Sequence, residues 1–136
     1  MSAYTENGIY TRIANAIEAV EASCKCYSRY TETVEKFPAA FIYAIDIVEP
    51  QRYRTLAGDG SVWSPTYEIQ LFSNLTHGAE AQVAKMAKAA GAALHSMAFR
   101  VTSAHHVPNG DPSIYRYVIR ANRLIGGGDE MPETNP

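Results

Sequence analysis

The sequence predicts an α+β fold, in which a mostly antiparallel sheet of four to five strands carries two helices packed on one face. Two amphipathic stretches, 5–22 and 79–97, repeat apolar residues at helical spacing. Strand-forming stretches lie at 24–31, 39–48 and 66–73, and two more follow the second helix as a hairpin. The order α-β-β-β-α-β-β, with strands grouped rather than alternating regularly with helices, indicates an α+β domain.

The first helix and the strand after it are predicted from residue spacing. The apolar residues of the first helix fall on one stripe: Ile9, Ile13, Ala16, Ile17 and Val20. The segment 24–31 has polar alternation, which favours a strand near the edge of the sheet. Its two cysteines are separated by a single residue, a spacing that seldom forms a disulfide and lacks further metal ligands, so we expect two reduced thiols.

The next two strands are predicted to form the centre of the sheet. Segment 39–48 is apolar at both odd and even positions, which indicates a strand covered on both faces, with Asp46 at a solvated rim. Segment 66–73 alternates instead. Its first row is Tyr67, Ile69 and Leu71, and its second row is Thr66, Glu68 and Gln70.

The second helix and the final hairpin complete the fold. Thr76 is a candidate N-cap for the helix, and Glu80 falls in its first turn. The apolar stripe expected to face the sheet is Val83, Ala87, Ala90, Leu94 and Met97. Strands at 99–107 and 113–124 are joined by a turn rich in proline, asparagine and glycine. Alternation along the last strand directs Tyr115, Tyr117, Ile119 and Ala121 toward the helices and Arg116, Arg120 and Asn122 away from them.

Length and composition predict a single domain over 1–125, followed by a flexible tail over 126–136 that is rich in glycine, proline and acidic residues. The chain of 136 residues has a net charge of −2, which gives no overall basic field toward nucleic acid or an anionic membrane. Its N-terminus lacks the features of a signal peptide, and its apolar runs are shorter than the ~20 residues that span a bilayer.

Motifs for catalysis are sparse, so we expect no enzymatic activity, no cofactor and no metal site. His105 and His106 are the most prominent candidates, with Asp111 nearby. Neighbouring residues on a strand point to opposite faces, so the two imidazoles are poorly placed to bind one ion. A small ligand-binding or enzymatic domain with a site near His105 and His106 stays as the alternative.

Two surfaces are candidate interfaces. The first is the loop over 49–65, which carries Arg52, Tyr53, Arg54 and Trp63 and is expected to be mobile until a partner orders it. The aromatic residues could equally fold back onto their own domain. The second is the sheet face that points away from the helices, with Glu68, Gln70, Arg100, Thr102, Arg116 and Arg120. That face either contacts a second copy of the chain or is simply solvated, and charge reversal at its arginines is expected to leave the fold intact.

A nucleic-acid-binding module would use the arginines of that face. The net charge of −2 weighs against it. A sheet that binds RNA also needs stacking aromatic residues at its centre, whereas the tyrosines of the hairpin are expected on the opposite face.

The order of elements and three strings of the sequence carry a resemblance to a known family, and the strings are FPAAFIYAIDIVE, YEIQLFSN and MAFRVTSAHHVPNGDPSIYRYVIRANRLI. The chain resembles the tail terminator or tail-completion proteins of long-tailed bacteriophages. These are also called minor capsid or head–tail joining proteins. The resemblance implies a structural virion protein, made in the cytoplasm of the host bacterium and located at the head–tail interface.

In that family the subunits form a ring, commonly a hexamer, which terminates the tail tube and offers a docking surface to the head completion or connector protein. The implied partners are therefore further copies of the chain, the tail tube protein and the connector. The resemblance implies no membrane partner and no specific nucleic acid, with DNA free to pass through the ring. It carries no catalytic residues, so the candidate interface residues rest on the surface argument alone.

Overall fold

The computed structural model describes residues 6–29, 34, 36–48 and 64–124. The elements in chain order are α1 (Glu6–Val20), β1 (Lys25–Tyr27), β2 (Ala39–Val48), β3 (Ser64–Ser73), α2 (Ala79–Ser96), β4 (Arg100–Val107) and β5 (Tyr115–Asn122). This arrangement confirms the predicted α+β class and the predicted order of elements.

The five strands form one sheet with the order β1-β2-β3-β5-β4. β1 pairs with β2 in parallel, and the other neighbouring strands are antiparallel. β1 lies at an edge, as predicted, but it has only three residues, because the chain bends away from the sheet at Ser28 and Arg29. The predicted strand over 24–31 was therefore too long.

The main core lies between the sheet and the two helices. Ile9, Ile13 and Ile17 of α1 are fully buried and Ala16 is half-buried, which confirms most of the predicted stripe. Val20, in the last turn, is 41% exposed, so the stripe was predicted one turn too long. The first predicted row of β3, formed by Tyr67, Ile69 and Leu71, faces this core. The other buried members are mostly the apolar residues of α2, β2 and β5: Ala40, Ile42, Val83, Met86, Ala90, Ala93, Leu94, Ile119 and Ala121.

A smaller cluster lies on the opposite face of the sheet. Its buried members are Ala39, Phe41 and Phe72, and the rings of Phe41 and Phe72 meet edge to face with centroids 5.5 Å apart. Tyr27 stacks on Phe41 at 5.1 Å. Burial on both faces confirms the prediction for β2 in its first half.

The side chains in the second half of β2 are less buried than those in the first half. A bulge interrupts its pairing with β3 between Ala44 and Asp46. Ile45 is 43% exposed, and Asp46 is exposed, which confirms the predicted solvated rim.

The two ends of α2 are capped in different ways. The N-cap is Gly78, which has a left-handed backbone with φ 86° and makes no side-chain capping hydrogen bond, so the predicted N-cap at Thr76 is wrong. The chain enters the helix through a conformation that glycine adopts without strain. Glu80 lies in the first turn, as predicted, where the helix dipole favours an acidic residue.

The C-terminal end of α2 is a Schellman motif. The Phe99 N–H donates to the Leu94 carbonyl at 2.9 Å, and the Ala98 N–H donates to the His95 carbonyl at 3.0 Å. Ala98 takes the position that glycine usually takes, with φ 62°. Arg123 Nη1 donates to the Met97 carbonyl at 2.6 Å, which ties the end of β5 to the end of the helix.

Neither helix of the described residues is both long and apolar enough to cross a membrane.

Candidate functional site on the open face of the sheet

The face of the sheet that points away from the helices, called here the open face, brings polar residues of three strands together. Residues directly opposite in antiparallel strands share a face of the sheet. Tyr43 of β2 lies opposite Glu68 of β3, and Glu68 in turn lies opposite Arg120 of β5. Gln70 and Arg116 share this face, and we call these five residues the polar network.

Glu68 is the central acceptor of the polar network. One carboxylate oxygen accepts from Arg120 Nε at 2.9 Å. The other accepts from the Tyr43 hydroxyl and from Gln70 Nε2, the latter at 3.0 Å. Both oxygens of this carboxylate therefore have hydrogen-bond partners within the subunit.

Gln70 extends the polar network to a second arginine. Its Nε2 also lies 2.7 Å from the Tyr43 hydroxyl, and its Oε1 accepts from Arg116 Nε at 2.9 Å. The guanidinium of Arg116 also lies over the ring of Phe72, at 5.9 Å from the centroid, which connects the polar network to the aromatic cluster.

Burial divides the polar network into a floor and an exposed layer. Glu68 is 7% exposed and Gln70 is 4% exposed, whereas the Arg120 side chain is 54% exposed. The sequence analysis correctly predicted that Glu68, Gln70, Arg116 and Arg120 point away from the helices, but it did not assign Tyr43 to this face. It was wrong to treat Glu68 and Gln70 as freely available surface, since the arginines and Tyr43 satisfy them inside the subunit.

The ionisation of Glu68 reflects these contacts. Burial alone would raise the pKa of this carboxyl, because it disfavours the charged form. Hydrogen bonds from Tyr43, Arg120 and Gln70 outweigh that effect and hold the pKa of Glu68 below its ordinary value. The carboxylate is therefore charged at neutral pH and forms an ion pair with Arg120.

The open face also carries aromatic residues. Tyr27, Phe41, Tyr43 and Phe72 lie there, while Tyr115 and Tyr117 pack against the main core as predicted. The sequence analysis considered only the tyrosines of the hairpin and did not assign the aromatic residues of β1, β2 and Phe72 to a face. Alternation within a strand gives two faces, but cross-strand register is needed to join the faces of separate strands.

The remaining candidates on β4 do not join the polar network. A bulge between Val101 and Ser103 places Ser103, rather than Thr102, opposite Arg120. The Thr102 hydroxyl instead donates to the backbone carbonyl of Arg120 at 3.2 Å. Arg100 is exposed and lies opposite Asn122, beyond the network.

His105 lies on the open face, in the same cross-strand row as Gln70 and Val118, whereas His106 lies on the helix-facing side of the sheet. His105 is paired with Val118 and His106 with Tyr117, which places them on opposite faces as predicted. His106 stacks on Tyr115 at 4.7 Å, beside an open cleft of about 370 Å³.

Asp111 is engaged in its own turn. Its carboxylate accepts from the Ser113 N–H at 3.0 Å and from the Ser113 hydroxyl at 2.7 Å, and these bonds hold the pKa of Asp111 below its ordinary value. Within the described ranges, no group of three or more His, Cys, Asp or Glu residues could hold a metal ion.

Both cysteines are free thiols. Cys24 is buried and Cys26 is half-buried, and they share the helix-facing side of the sheet. A hydrogen bond between the thiols raises the pKa of Cys24, and burial adds to this effect.

Four predicted interface residues, Arg52, Tyr53, Arg54 and Trp63, lie outside the described residues, as does the predicted tail over 126–136. No model of a known protein family matches the chain, and no curated protein matches it.

Proposed function

We propose that the chain is a structural virion protein that forms a closed ring at the end of a long phage tail, with the six subunits that the family resemblance implies. In this role the ring terminates the tail tube and meets the head connector. The protein acts through its surfaces, without catalysis and without a cofactor.

The observation that carries the proposal is the pair of arginines fixed above a buried polar floor. In the described part of the chain, Arg116 donates a hydrogen bond from Nε to Gln70, and Arg120 donates one from Nε to Glu68. Their Nη groups therefore remain for an acceptor on a partner. A guanidinium fixed in this way loses less conformational freedom on binding, and arginine is enriched at protein interfaces.

The chemistry of the partner follows from this arrangement. The two arginines are separated by three residues of one strand and lie on the same face. Carboxylates of the tail tube protein or of a neighbouring subunit would pair with them, because a planar guanidinium binds a carboxylate through two N–H groups.

The alternative, a ligand-binding or enzymatic domain near His105 and His106, has less support. The side chains of His106 and Thr76 beside the cleft are exposed. Asp111, the carboxylate suggested as a partner for the histidines, is held in its turn by Ser113. Convergent buried polar groups, which mark ligand sites, are not seen there among the described residues.

The proposal is tested by measuring mass with light scattering, alone and with purified tail tubes, and by electron microscopy of the same samples. The expected result is a closed ring, at least on tubes. Arg120→Gln should weaken tube binding or ring formation, whereas Lys88→Gln, a change of an exposed cation on α2, should not. A strict monomer that also ignores tail tubes would refute the proposed function.

A further inference from the structure

Beyond its first residues, the edge of the sheet formed by β4 lacks the features that usually protect an exposed edge. β4 has eight residues and pairs on one side with β5. In the described part of the chain no strand pairs with its other side. Natural edge strands are protected by lysine, proline, short length or bulges. The bulge of β4 lies near its start, and the stretch from Ser103 to Val107 contains no proline and no lysine.

The opposite edge of the sheet is covered over only part of its length. β1 pairs with Ala39–Phe41 of β2, at the beginning of that strand. Among the described residues, no strand pairs with the outer side of Ala44–Val48. This half of β2 carries the exposed apolar side chain of Ile45 and the exposed carboxylate of Asp46.

We propose that β4 of one copy pairs with Ala44–Val48 of a second copy, so that the sheet continues from subunit to subunit. This inference rests on the proposed ring and names the contact that builds it. Main-chain hydrogen bonds would supply the contact, as in other complexes that add a strand to a sheet edge. Arg100, at the start of β4, and Asp46, on the receiving edge, carry charges of opposite sign, which favours the approach of the two edges although the side chains are not directly opposite when 103–107 pairs with 44–48.

The geometry of the two edges favours a ring over a two-fold dimer. They differ in sequence and lie at opposite sides of one sheet. A contact between two different surfaces of identical subunits is head-to-tail, and it closes into a ring when the rotation between subunits allows. The open-face arginines stay accessible in this arrangement, because strand pairing uses the edges rather than the face.

Hydrogen–deuterium exchange on the unmodified protein tests the pairing directly. Dilute subunits are compared with assembled protein, formed either at high concentration or on purified tail tubes. Alternate amides within 103–107 and 44–48 should exchange at least tenfold more slowly in the assembly. The turn over 108–111 serves as the internal control and should exchange equally in both states.

Matched substitutions provide the second measurement. Ala104 on β4 and Ala92 on α2 are both exposed. Ala104→Lys places a charge on the pairing edge and should weaken assembly at least tenfold, whereas Ala92→Lys should leave assembly unchanged. Circular dichroism and thermal melting show whether each variant remains folded, and the exchange experiment does not depend on either variant.

The outcomes separate this inference from the proposed function. Rings whose 103–107 and 44–48 amides gain no protection would overturn edge pairing while leaving the ring intact. Protected edges in assemblies that ignore tail tubes would support edge pairing and contradict the tail terminator. A protein that stays monomeric under every condition would overturn both.

Discussion

Replacing Glu68 by glutamine tests the central claim about the open face, namely that a buried carboxylate organises the polar network. The substitution keeps the size of the side chain and removes its charge. Glu68 is 7% exposed and accepts hydrogen bonds from Tyr43, Gln70 and Arg120. Glutamine has one acceptor oxygen and one donor group, so it cannot accept all three bonds.

The expected loss follows from the bonds that change. A hydrogen bond to a charged group contributes about 1.5–3 kcal/mol, against about 0.5–1.5 kcal/mol for a neutral one. The Arg120 side chain is 54% exposed, so solvent reduces the value of its ion pair with Glu68. We therefore expect Glu68→Gln to lower the free energy of unfolding by about 1–2 kcal/mol at neutral pH, which lowers Tm by several degrees in a chain of this size.

The effect should depend on pH in a defined direction. The folded-state pKa of Glu68 is lowered from its ordinary value of 4.5, so ionisation of this group stabilises the native state at pH values above that ordinary pKa. That stabilisation is lost as the pH falls through the folded-state pKa. The difference in unfolding free energy between the natural protein and Glu68→Gln should therefore be full at pH 7 and should shrink below about pH 4.

Urea unfolding at a series of pH values measures this difference, with Glu18→Gln as the control. Glu18 is an exposed carboxylate on α1, so its substitution should change stability by less than about 0.5 kcal/mol. Equal stability of Glu68→Gln and the natural protein at pH 7, or a difference that does not change with pH, would show that the carboxylate does not organise the open face.

Three further predictions test other parts of the structure. Ala98→Gly should stabilise the protein by about 0.5–1 kcal/mol, seen as a higher urea midpoint with an unchanged slope. A left-handed alanine costs about 1–2 kcal/mol, and the greater conformational entropy of glycine in the unfolded chain offsets part of the relief. An unchanged or lower midpoint would contradict backbone strain at this position. Met86→Ala, at a fully buried position of α2, should cost about 2–5 kcal/mol, whereas Met86→Leu should cost less than about 1.5 kcal/mol, and similar losses for both would contradict close packing there. The double substitution Arg116→Glu and Arg120→Glu should lower Tm measurably, because it places new carboxylates beside Glu68 and Gln70. The sequence alone led us to expect that this charge reversal leaves the fold intact, and an unchanged Tm would favour that expectation.

Sequence periodicity was sufficient to predict the helices and strands and to assign residues to the two faces of most strands. The row of Tyr67, Ile69 and Leu71 and the stripe of α1, except Val20, were predicted correctly, because burial of one face imposes a period of two on a strand and of 3.6 on a helix. Predictions at element ends were weaker. Thr76 was favoured as the N-cap by its residue type, whereas the backbone conformation of Gly78 sets the start of the helix.

The polar network could not be predicted, because it depends on register between distant segments. Tyr43 and Arg120 meet Glu68 from two different strands, at sequence separations of 25 and 52 residues. A shift of one residue in either pairing would move the partner to the other face. The bulges after Ala44 and Val101 change register within strands, and no residue pattern in the sequence marked them.

The order of the strands has a consequence for how the chain folds as it is synthesised. β5 lies between β3 and β4, although β4 precedes it in the sequence. β3 can therefore pair with β2 early, but its other side stays open until α2, β4 and β5 have all been made. The pairing of β3 with β5 joins two preformed halves over a long sequence separation, which is a slow kind of contact to form. During that interval the edge of β3 is exposed to pairing with other chains, so this junction is where crowding of nascent subunits would most favour misassembly.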